Sequence, residues 1–64
     1  MGYSMKVYIV ETGNQYEGYS IAGVHSSKDL AFENALKINT DEGDVRRVIE
    51  WEVDTGNSQN WWID

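Results

Sequence analysis

Three short stretches hold the residues with chemical potential. The first is His25-Ser26-Ser27, which sets the chain's one histidine beside two hydroxyls. Successive residues on an extended chain point to opposite faces, so the imidazole and the Ser26 hydroxyl do not converge. No third group is specified to orient the ring, and a strand-end surface histidine is the simpler reading. The second stretch is Asp41-Glu42-Gly43-Asp44. A calcium loop needs oxygen ligands at alternating positions, glycine at the sixth and glutamate at the twelfth. Counted from Asn39, Gly43 falls on a ligand position and no glutamate closes the loop, so these are solvated carboxylates.

The third stretch is Glu50-Trp51-Glu52-Val53-Asp54. In a strand, residues two apart share a face at about 6.8 Å. Glu50, Glu52 and Asp54 therefore form a row of carboxylates spaced much like backbone phosphates. Such a row could imitate nucleic acid and be steered into a cationic groove. A solvated face that keeps a small domain soluble is the plainer alternative. No phosphate-binding glycine loop is present, since Gly13 and Gly18 flank a polar segment without a Walker lysine. The expectation is a non-enzymatic protein with no cofactor and no metal.

The elements that would carry these residues follow from periodicity. Lys6 to Glu11 is rich in β-branched and aromatic residues and reads as a central strand. Thr12 to Gly18 has turn composition, and Tyr19 to Val24 reads as the second strand of an antiparallel hairpin. Gly23 marks either a weak point or a close approach. Ser26 is the expected N-cap, with Asp29 three residues on, of a helix from about Lys28 to Ile38. Ala31, Ala35 and Ile38 share one side of it, Leu30, Phe32 and Leu36 flank them, and Glu33 and Lys37 pair opposite. Val45 to Asp54 alternates as a third strand, with Trp51 inward.

The predicted fold class is α+β: a small three-stranded antiparallel sheet in the order β-β-α-β, with one helix packed on one face. The C-terminal tail is a possible addition to the sheet. Residues 1–5 read as an N-terminal extension, 6–54 as the ββαβ domain, and 55–64 as a flexible connector with a tryptophan-containing tail. If the helix covers the Trp51 face, the other face carries Tyr8, Val10, Val48, Ala22 and Val24, too apolar to stay wet. Either the tail or a second copy could cover it. Trp61 and Trp62 point opposite ways in an extended segment, so one can pack inward while the other faces out as a partner anchor.

The 64 residues form at most one domain, and a chain this short buries roughly 60% of its unfolded surface. No cysteine is available for a disulfide. The net charge of −6 argues against direct contact with nucleic acid or an anionic membrane, and permits binding to a basic protein surface. No apolar run approaches the roughly 20 residues of a membrane span, and MGYSMKVY does not read as a signal peptide. A cytoplasmic location is the expectation.

Lys6-Val7-Tyr8-Ile9-Val10, Tyr19-Ser20-Ile21-Ala22-Gly23-Val24, the Ser26-Ser27 helix start and Val48-Ile49-Glu50-Trp51-Glu52-Val53-Asp54 resemble a family of small phage and prophage proteins. Those begin with an MKVYVV-like strand, continue with Y-x-I-x-x-V-F-S-T and end in an I-E-E-Y-E-L-D-like strand. The resemblance covers Lys6 to Asp54, with Met5 matching the family start. It departs at His25, where the family tends to have an aromatic, and in the tryptophan tail. The family is a domain of unknown function, so the resemblance implies a phage origin and a ββαβ fold but no active site. It also implies a function: binding and inhibition of a host nucleic-acid-binding protein, of anti-defence or anti-CRISPR type, in the host cytoplasm. Glu50, Glu52 and Asp54 would supply charge, and Trp61 or Trp62 the apolar anchor. The alternative is a homodimeric assembly module using the apolar second sheet face.

Overall fold

The computed structural model describes residues 5–40 and 43–63. Residues 1–4 of the expected extension and the acidic pair Asp41-Glu42 lie outside the described residues. The order is β1 (Lys6–Asn14), β2 (Gly18–His25), α1 (Lys28–Lys37), β3 (Val45–Glu52) and β4 (Ser58–Trp62). The sheet is antiparallel and four-stranded, in the order β2-β1-β3-β4. The three-stranded expectation is thus corrected: the tail supplies a fourth strand, and the order is β-β-α-β-β. The third strand ends at Glu52 rather than Asp54. Residues 53–57 form the turn into β4, where Asp54 (φ 74°) and Gly56 (φ 78°) adopt left-handed backbone. Glu52 N–H closes the turn on the Asn57 carbonyl at 2.8 Å.

Two local features fix how the helix meets the sheet. Ser27, not Ser26, is the N-cap, and its hydroxyl accepts from Leu30 N–H at 3.2 Å. Ser27 has extended backbone and stands three residues before that donor, the geometry an N-cap hydroxyl needs. Gly23 marks a close approach, because a Cβ there would lie 2.7 Å from Asn34 Oδ1 and 2.9 Å from His25 Nε2. Across β1 and β2, Val10 pairs with Gly23 but Glu11 pairs with Ile21, so Ala22 is the extra residue of a β-bulge.

The core comprises Val10, Ala31, Ala35 and Val48, all fully buried, with Tyr8, Phe32, Ile38, Trp61 and Ile63 packed around them. This reverses the expected assignment of faces. The helix covers Tyr8, Val10 and Val48, while Trp51 lies on the uncovered face and is 37% exposed. Val24 pairs with Ile9, so it too belongs to the uncovered face rather than beside Tyr8. The reason is that polar residues of the helix-side parity find partners at its rim. Arg46 donates to the carbonyls of Ala35 (3.0 Å) and Ile38 (3.4 Å), where the last turn of a helix leaves acceptors unsatisfied. Small alanines let the helix lie close, and Trp61 restores the apolar volume that the strand parity lacks.

Candidate functional site

The register defines the uncovered face row by row. Ile9 stands between Val24 and Ile49, and Val7 opposite Trp51. Next along the strands, Glu11 stands between Ile21 and Arg47, and Arg47 opposite Trp62. Gly13, Tyr19 and Val45 make the last row, at the β1–β2 turn. The face therefore has two halves. Val7, Ile9, Val24, Ile49 and Trp51 form an apolar half without a charge, edged by Ser58 and Asn60 of β4.

The second half is organised by one ion pair. Arg47 Nε donates to Glu11 Oε1 at 2.8 Å, with Arg47 Nη2 2.6 Å from the same oxygen. Both side chains are about four-fifths buried, although no helix lies over them. Aromatic rings do the covering: the Arg47 guanidinium sits 4.3 Å from the Tyr19 ring centroid and 5.2 Å from that of Trp62. The two rings are 6.2 Å apart. Beyond them opens a cleft of about 600 Å³, walled by Gln15, Tyr16, Glu17, Tyr19, Val45 and Trp62.

The expected site residues disperse. Glu50 is on the helix side of the sheet, 3.4 Å from Lys6 Nζ and opposite Tyr8 in the register. Burial, reinforced by the neighbouring Glu50 carboxylate, holds the Tyr8 pKa above its ordinary value. Glu52 closes β3 on the same parity, and Asp54 stands in the turn, outside the strand. The three carboxylates therefore do not form one regular outward row. Trp61 packs on Phe32 (centroids 6.1 Å apart) and carries Lys28 Nζ at 4.1 Å over its ring. Trp62 projects to the opposite face and is 52% exposed. So the tail does pack on its own domain, with one tryptophan on each side.

His25 Nε2 lies 3.2 Å from Asn34 Oδ1 at the helix–sheet junction, and Asp44 accepts from Asn14 Nδ2 at 2.8 Å. Among the described residues, no three His, Cys, Asp or Glu side chains gather to hold a metal ion, and no helix is long and apolar enough to cross a membrane. Glu11, Tyr16, Tyr19 and Arg47 escaped the sequence reading. Glu11 and Arg47 meet only through the register, although a charge at Arg47 within an apolar parity was a visible signal.

Fold and site together define a small α+β domain whose single sheet is covered on one face and open on the other. The chain belongs to the family described as a domain of unknown function (DUF7336), whose model matches residues 5–62. That span runs past Asp54 to Trp62, so β4 and both tail tryptophans are part of the family domain. Comparison with curated proteins and with solved structures gave no match.

Proposed function

We propose that this chain is a non-enzymatic interaction module that pairs with a second copy of itself through the apolar half of its open sheet face. The observation that carries this reading is the uncovered row of Val7, Ile9, Val24, Ile49 and Trp51. Val24 is 58% exposed and Trp51 37%. Contiguous apolar surface of this kind marks interaction sites.

A second copy is the occupant favoured on two counts. The apolar half carries no charge, so a two-fold pairing brings no like charges together despite the net charge of −6. The core is also undersized. Among the described residues five apolar side chains are buried, and two of them are alanines. Small domains need a supplement to such a core, cysteine is absent, and packing two sheets face to face would supply it.

Sedimentation velocity tests this on the full chain and on Val24→Lys. The change lies on the edge strand at an exposed position, so the fold should survive. The wild type should be a dimer at micromolar concentration and remain one at high salt, while the variant is a folded monomer. A wild type that stays monomeric up to submillimolar concentration rejects the reading.

A second reading is that the chain is a phage or mobile-element inhibitor that blocks a basic nucleic-acid-binding protein of the host. Its support is the net charge of −6, with Glu52 and Asp54 forming no ion pair among the described residues. Screening sets in beyond about 8 Å at physiological ionic strength. Capture of such a protein should then fail at high salt and with Glu52→Lys plus Asp54→Lys. Capture that survives both rejects it.

A further inference from the structure

We propose that the cleft at the β1–β2 turn binds an arginine side chain of a partner protein. The site lies beyond the Glu11–Arg47 pair, apart from the apolar half of the face, and stands independently of self-association.

The cleft, at about 600 Å³, is within the usual size range of ligand sites. Three aromatic rings line it: Tyr16, Tyr19 and Trp62. Tyr16 is 89% exposed and Trp62 52%, so ring surface is available although Arg47 already lies against Tyr19 and Trp62. Among the described residues, Glu17 is the one charged side chain on the wall. An aromatic wall with that carboxylate attracts a cation and, among these residues, offers an anion no donor of opposite charge.

The turn is held in place for such a role. Asn14 Oδ1 accepts from the N–H groups of Tyr16 (2.9 Å) and Glu17 (2.8 Å). Asn14 Nδ2 in turn donates to Asp44, pinning the turn to the segment that leads into β3. Tyr16 is therefore an exposed aromatic carried on a held turn, which packing does not explain.

The chain shows the same chemistry twice within itself. Lys28 sits over Trp61 and Arg47 against Trp62, so each tail tryptophan already receives one cation. Arg47 does not block a second cation electrostatically, because Glu11 neutralises it. Guanidinium is favoured over ammonium because its plane stacks on rings and is less strongly hydrated. The net charge of −6 adds attraction at long range.

The test is an NMR titration of the full chain with the capped tripeptide Gly-Arg-Gly, and with its citrulline analogue as a neutral isostere. The arginine peptide should shift the Gln15 and Tyr16 amides and the Trp62 indole N–H saturably. Citrulline should bind about two- to five-fold more weakly, as loss of an exposed cation–π contact implies. Tyr16→Ala, at an exposed position, should abolish the shifts without disturbing the spectrum elsewhere, and Glu17→Gln should weaken them. Equal shifts with citrulline, shifts confined to other surfaces, or an unchanged response in Tyr16→Ala would overturn the assignment.

Discussion

The two faces of the sheet are built from the same strands and differ in what lies over them. On the helix side, Val10 and Val48 are sealed by Ala31 and Ala35, Glu50 pairs with Lys6, and Arg46 reaches the last carbonyls of α1. On the open side, Ile49 is buried but Val24 and Trp51 are not. The one ion pair there is roofed by aromatic rings rather than by a helix. The helix side is thus covered within one chain, and the other side is left open. Residues on the first face should govern intrinsic stability, and residues on the second should govern what the domain meets.

The comparison can be broken first on the helix side. Ala35→Leu forces a large side chain between α1 and the sheet and should cost about 3 kcal/mol, the upper range for overpacking. Denaturant melts should show this loss at every protein concentration. Trp51→Lys should instead abolish the concentration dependence of Tm, the signature of a coupled second copy. If Ala35→Leu is neutral, the helix-side packing is misassigned.

Gly23→Ala sharpens the same boundary with a smaller effect. Its methyl would meet Asn34 and His25, displacing α1 at a cost of about 1–2 kcal/mol. Asn34→Ala in the same chain should recover part of that loss, which a double-mutant cycle would measure. Arg46→Ala should cost about 1 kcal/mol by removing the guanidinium donor to the Ala35 and Ile38 carbonyls, and should lower amide protection in the last turn of α1. Additive effects in the Gly23–Asn34 cycle would contradict the close approach.

The smallest effect is titration of Tyr8. Its pKa is raised in the folded state, so the neutral phenol is favoured by folding. The associated stability is fully present below the unfolded value near 10 and is lost as pH rises through the higher folded value. Stability should therefore decline in the alkaline range, and Tyr8→Phe should remove that part of the decline. Melts across this range, with tyrosinate absorbance recorded in parallel, would check the sign.

Much of this architecture was written locally in the chain. The β1–β2 hairpin, the span of α1, its alanine stripe and the Glu33–Lys37 pair (3.0 Å) all follow from neighbours in sequence. What escaped depends on residues far apart. Ser58-Gln59-Asn60 has little strand propensity, and it joins the sheet because the turn at Asp54 and Gly56 returns the chain alongside β3. The choice of face could not be read from β3 alone, since Val48 on one parity competes with Ile49 and Trp51 on the other. Trp61 and the capping role of Arg46 decide it, and both act across the fold. The Glu11–Arg47 pair, 36 residues apart, appears only once the register is known.

The central claim is that the open face, and not the helix surface, pairs two copies. Isotope-filtered NOE spectra on an equal mixture of labelled and unlabelled chain would test it most directly. The account predicts intermolecular contacts joining the methyls of Ile9, Val24 and Ile49 to the Trp51 ring of the other copy. Intermolecular contacts confined to the exposed Leu30 and Leu36 of α1, or no intermolecular contacts at submillimolar concentration, would contradict it.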